Sequence, residues 1–155
     1  MKTLPRWLAV FALLLAPLAA SAQQGLEIDI VGGNASALPI AIVPMPYQGS
    51  ATAPETDVAA IVRADLERSG AFRSLPVASI VERPTRGSEV QYPTWRALKQ
   101  DYLVVGRVVD GSGGGFRVEY ELFDVAKQER MLGLALTARP NAMRDVGHQM
   151  ADAIY

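Results

Sequence analysis

The chain has 155 residues, with 15 basic and 16 acidic side chains, one histidine and no cysteine. A near-neutral charge without a basic stripe gives no footing for nucleic-acid binding. The lack of cysteine excludes disulfides, thiolate chemistry, zinc–thiolate sites and iron–sulfur clusters.

The first 22 residues read as an export signal. Lys2 and Arg6 form a positive start, residues 7–16 form an apolar core, and Ala20-Ser21-Ala22 is a small-x-small cleavage site. Cleavage between Ala22 and Gln23 then leaves 13 basic against 16 acidic residues. The apolar core is shorter than the ~20 residues that span a bilayer, and no second long apolar run follows, so stable membrane insertion is not expected. No cysteine follows the cleavage point to carry a lipid.

Leu26-Glu27-Ile28-Asp29-Ile30 alternates strictly between apolar and acidic residues, the period of a half-buried strand. Gly32-Gly33-Asn34 breaks it and supplies a hinge at Gly32 and Gly33. Such a strand needs a sheet edge, either its own domain's or a partner's. In the second case main-chain hydrogen bonds would give affinity. Leu26, Ile28 and Ile30 would fill pockets, while Glu27 and Asp29 would face basic residues.

Residues 38–43 are a continuous apolar run ahead of Pro44-Met45-Pro46, as in a strand buried on both faces of a parallel sheet. A polar loop over 47–54 leads to a helix predicted over 55–69. Val58, Ile61, Val62 and Leu66 form its inner face, Glu55 and Asp57 its first turn, and Gly70 its stop. Residues 72–75 read as a short strand. Residues 78–92 read as a loop with one helical turn, and 94–99 as a short helix capped by Thr94, with Trp95 and Leu98 inward.

Three strands over 102–109, 116–125 and 131–138 form a predicted antiparallel meander. In the second, Phe116, Val118, Tyr120 and Leu122 face one side, and Arg117, Glu119 and Glu121 the other. Asn141 is the expected cap of a last helix with Met143, Val146, Met150, Ala153 and Ile154 on its apolar stripe. No glycine, basic last turn or proline closes that helix, so the chain reads as the front part of a longer protein. The order β-β-α-β-α-β-β-β-α gives an α/β or α+β domain on one main sheet.

Chemical motifs are sparse. His148 has no second histidine and no Glu-x-x-His spacing, and reads as an ordinary polar helix residue. The glycine-rich 110–115 segment precedes a strand rather than a helix, so it reads as a hairpin turn and not a phosphate cradle. Glu119 and Glu121 lie about 6.5–7 Å apart by strand rise, on a face expected to be solvated. A small-ligand or enzymatic domain using the 47–54 loop stays as the alternative to an interaction module.

Three stretches then carry a resemblance. They are Leu26-Glu27-Ile28-Asp29-Ile30 with Gly32-Gly33 and Leu38-Pro39-Ile40-Ala41-Ile42-Val43-Pro44; Asp101-Tyr102-Leu103-Val104-Val105-Gly106-Arg107-Val108; and Gly147-His148-Gln149-Met150-Ala151-Asp152-Ala153-Ile154-Tyr155. In order and spacing they resemble the TolB amino-terminal domain family of the Tol-Pal cell-envelope system. Val31 and Leu38 depart from it, standing where the family carries polar or charged residues.

The resemblance implies a three-layer α/β/α domain on a mixed five-stranded sheet over residues 38–155, after a partner-binding strand and hinge over 23–37. It implies a periplasmic, non-enzymatic adaptor without metal or cofactor. In the family the N-terminal segment, here residues 26–30, binds the C-terminal domain of inner-membrane TolA. A C-terminal six-bladed β-propeller, which this chain does not include, binds the outer-membrane lipoprotein Pal. The implied role is outer-membrane integrity and constriction at division.

Overall fold

The computed structural model describes residues 36–155. The signal segment with Ala22 and Gln23, the 26–30 strand, and Gly32 and Gly33 lie outside the described residues.

Five strands form one mixed sheet in the order β2-β1-β3-β4-β5. They are β1 (Leu38–Ile42), β2 (Phe72–Ser74), β3 (Tyr102–Asp110), β4 (Phe116–Asp124) and β5 (Glu129–Ala138). β1 is parallel to both β2 and β3, and β3, β4 and β5 form the antiparallel meander. The uninterrupted apolar run at β1 reflects this position, since helices or loops cover both of its faces. Ile40 and Ile42 enter one core, Ala41 and Val43 the other, and all four are fully buried.

Three α-helices occur among the described residues: α1 (Val58–Arg68), α2 (Tyr92–Ala97) and α3 (Met143–Ile154). α1 and α3 cover one face of the sheet, packing on Val104, Val118, Tyr120 and Leu122. On the other face Trp95 of α2, with Ile80 and Val90 from the connecting segments, packs on Leu103, Val105 and Phe123. The result is three layers around two apolar cores, as expected.

Helix starts differ from the sequence reading, each for a local reason. α1 begins at Val58, not near Glu55. Asp57 has extended backbone, and its carboxylate accepts the Ala60 N–H at 3.0 Å, so this acid is the cap rather than part of the first turn. Ala59 joins Val58, Val62 and Leu66 in the buried face, while Ile61 is only half-buried. The helix ends as predicted, with Gly70 at φ +74° and its N–H bonded to the Glu67 carbonyl.

Thr94 does not cap α2. Pro93, which lacks an N–H and has a fixed φ, sits in the first turn and starts the helix ahead of it. The Thr94 hydroxyl instead donates to Glu82 Oε1 at 2.7 Å.

Asn141 does not cap α3. It falls inside a 3₁₀ turn, Pro140–Ala142, which places Ala142 at the cap position without a side-chain bond. The buried stripe is Met143, Val146, Gly147, Met150, Ala151 and Ile154. Ala153 is exposed, because at 3.6 residues per turn it lies about 100° from the centre of that stripe.

Gly147 marks where α3 crosses α1. A Cβ there would sit 2.7 Å from Ile61 Cγ2, so the crossing depends on the missing side chain.

Candidate interaction surface

Two predicted features outside the cores resolve into structural roles. The 47–54 loop is clasped to the end of β3. The Tyr47 hydroxyl donates to Asp110 Oδ1, and the Ser50 N–H and hydroxyl donate to Asp110 Oδ2 at 2.8 and 2.9 Å. The Ala51 N–H donates to the Tyr47 hydroxyl at 2.8 Å, and the Tyr47 ring meets Phe116 edge-on at 5.9 Å.

The Ser50 N–H, then the Tyr47 and Ser50 hydroxyls, favour the ionised carboxylate and lower the pKa of Asp110 from 3.8 to about 2. The Tyr47 hydroxyl is pushed up, first by desolvation and then by its bond to Asp110. The most displaced carboxyl of the described residues therefore holds a loop, and the Tyr47 and Ser50 hydroxyls beside it are spent on that clasp.

The sign of its pH effect follows from the depressed value. The clasp is complete above the unfolded carboxyl's ordinary value of 3.8 and is lost as pH falls through about 2. The Ser50 amide resonance should titrate with a midpoint near 2. Asp110→Asn should speed hydrogen exchange at Ser50 and Ala51 at neutral pH while the sheet keeps its protection. An unchanged Ser50 exchange rate in that variant would disprove the clasp.

His148 faces Asp65 across the two helices, with Nδ1 2.5 Å from Oδ2, and Arg68 Nη1 reaches Asp65 Oδ1 at 2.6 Å. Both donors hold the Asp65 carboxyl below its usual range, His148 first. The histidine therefore ties α3 to α1. No group of three or more His, Cys, Asp or Glu residues able to hold a metal occurs among the described residues.

The outward face of β4 is charged, as its alternation predicts, and its charges are paired. Glu119 accepts from Arg107 Nη2 at 2.5 Å and Arg117 Nε at 3.1 Å, which hold its carboxyl low, Arg117 first. Glu121 accepts from the Gly87 N–H at 2.8 Å and Arg130 Nη1 at 3.2 Å. The partners Arg107 and Arg130 come from the neighbouring strands. Their proximity depends on register, which the sequence pattern alone did not reveal.

At the opposite end of the sheet, Leu38, Phe72, Tyr102, Met131 and Ile154 line an apolar hollow of about 210 Å³. Leu38 and Met131 are 41% and 54% exposed there. This is the end at which the described chain enters β1.

The TolB amino-terminal domain family model matches residues 26–131. The Tol-Pal system protein TolB of Xanthomonas oryzae pv. oryzae is 72% identical over all of this chain, which covers 36% of that relative. The same protein name, identity and coverage hold for Xanthomonas campestris pv. campestris. The chain thus spans about a third of the length of these curated relatives.

The crystal structure of TolB from Acinetobacter baumannii superposes with a TM-score of 0.62 at 33% identity, covering 77% of this chain and 27% of that one. The C-terminal domain of LpoB from Salmonella enterica shares the fold alone, at TM-score 0.53 and 12% identity, over 68% of this chain and 84% of that one. The family match includes the alternating segment at 26–30 and runs through β1 to β4 into β5. This chain belongs to the TolB amino-terminal domain family.

Proposed function

We propose that this chain is the partner-binding amino-terminal part of a periplasmic Tol-Pal adaptor, exported by the signal over residues 1–22 and cleaved between Ala22 and Gln23. Residues 26–30 add as a strand to the C-terminal domain of TolA, and Gly32 and Gly33 let that strand move relative to the domain over 38–155. In the longer protein, a downstream propeller engages Pal. The adaptor thereby links an inner-membrane protein to an outer-membrane lipoprotein, supporting envelope integrity and constriction at division. It performs no catalysis and needs no cofactor.

One observation supports this reading above the rest: 72% identity over the whole chain to proteins named as Tol-Pal system components. The alternating apolar and acidic residues at 26–30 supply the physical means. Strand addition takes affinity from backbone hydrogen bonds and specificity from alternate side chains.

NMR of the chain from Gln23 onward, titrated with the TolA C-terminal domain, tests the proposal. The expected result is shifts and broadening over 26–33 with the 38–155 amides little changed. Binding that survives deletion of residues 23–33 would overturn it.

A further inference from the structure

We infer that the edge of β5 left unpaired among the described residues is itself a strand-addition site, taking an extended segment of a partner protein that alternates apolar and acidic residues. This goes beyond the role of residues 26–30 and concerns different atoms. β5 is the longest strand among those described, with ten residues, and among the described strands it pairs only with β4. Among the described residues, no other backbone group bonds to it.

Long edge strands are usually blunted by a charge, a proline, a bulge or a covering element. Here the bulge sits at the start, opposite Leu122 and Phe123, and residues 132–138 carry neither a charge nor a proline. Such an edge is a template awaiting a strand.

Its two faces state what that strand must carry. On the α1 and α3 side stand Leu132, Leu134 and Leu136. Leu132 and Leu136 are packed against the core, and Leu134 is 43% exposed. On the other side Gly133, Ala135 and Thr137 are small, leaving an open trough of about 400 Å³ next to Arg86, Arg107, Arg117 and Arg130.

On the trough wall Arg107, Arg117 and Arg130 share Glu119 and Glu121, Arg86 pairs with Glu89 at 3.4 Å, and Arg86, Arg117 and Arg130 remain about half-exposed or more. A strand laid along β5 sends alternate side chains to the two faces. Apolar side chains would extend the leucine row. Carboxylates would pass over Gly133 and Ala135 toward guanidinium N–H groups not used by the two glutamates. A strand with lysine or arginine at those positions would meet like charge.

The test uses the chain from Gln23 onward and two synthetic peptides, one alternating valine and glutamate, the other valine and lysine. Hydrogen exchange by NMR is read at residues 132–138. The glutamate peptide should slow exchange there, and the lysine peptide should not. Arg117→Glu with Arg130→Glu should weaken the glutamate peptide by about tenfold or more and favour the lysine peptide.

Unchanged β5 exchange with the glutamate peptide, or equal effects of both peptides, would overturn the inference. So would β5 amides as protected as those of β4 before any peptide is added, since the edge would then already be occupied. Loss of TolA binding alone leaves this readout untouched, so the two proposals fail separately.

Discussion

Val104→Asp should abolish cooperative unfolding of the domain. Val104 is fully buried near the middle of β3, opposite Ile42 of β1 and Leu122 of β4. Its surroundings are the apolar core under α1 and α3, whose members are all uncharged, and the Arg63 guanidinium above it is bonded to the Ile42 carbonyl at 3.2 Å. An unpaired carboxylate there costs several kcal/mol, comparable to the whole stability of about 5–15 kcal/mol that a domain of this size has.

The control is Glu119→Gln. Glu119 sits on the outward face with its side chain 33% exposed, paired to two arginines. Removing its charge should cost about 1 kcal/mol or less. Urea denaturation followed by circular dichroism distinguishes the two. A cooperative transition in Val104→Asp would show that β3 is not the central strand.

Trp95→Ala is the second large effect, expected to cost about 3–5 kcal/mol. The second core is thin. A six-residue helix and two connecting segments cover β1 and β3, and Trp95 is the largest side chain in that layer. Removing it leaves Ala41, Val43, Leu103 and Val105 facing a void that the surrounding structure closes only in part.

The indole Nε1 makes no hydrogen bond to a described group, so the residue contributes through its packed surface. Trp95→Phe should therefore retain most of the stability, losing well under half of what Trp95→Ala loses in the same urea experiment. Equal losses in the two variants would mean that the indole N–H matters through a contact not seen here.

How legible these features were in the sequence depends on the range of the interaction. The β1 run and the alternation of β4 were readable because burial of one or both strand faces imprints a period on consecutive residues. The predicted three-layer architecture with a five-stranded mixed sheet is present. Helix starts were misplaced where one local competitor outweighed another. Pro93 preceded Thr94, the Pro140 turn absorbed Asn141, and Asp57 served as a cap rather than a first-turn acid.

Pairings between distant residues were not readable at all. Asp110 with residues 47–51, Asp65 with His148, and Glu119 with Arg107 are separated by many residues and joined only by the fold. The arginine trough beside β5 belongs to the same class. Each arginine looks like ordinary surface charge until register sets it beside the others.

The place of β1 in the sheet bears on how the protein is made. β3, β4 and β5 follow one another through short turns, so the meander can close from local contacts. β1 must wait. Ile40 pairs with Tyr102, far along the chain, and both edges of β1 stay open until β2 and β3 exist. Until then an apolar run of high β-propensity is exposed, the kind of segment from which aggregation starts.

Pro39 lies inside that strand and Pro44 just beyond it. Pro39 removes one donor from a ladder that a stray strand could otherwise extend, while its carbonyl accepts the Asp101 N–H at 3.1 Å in the finished fold. The two prolines thus act as gatekeepers, keeping the last strand to be sheltered from pairing with a neighbouring unfolded chain.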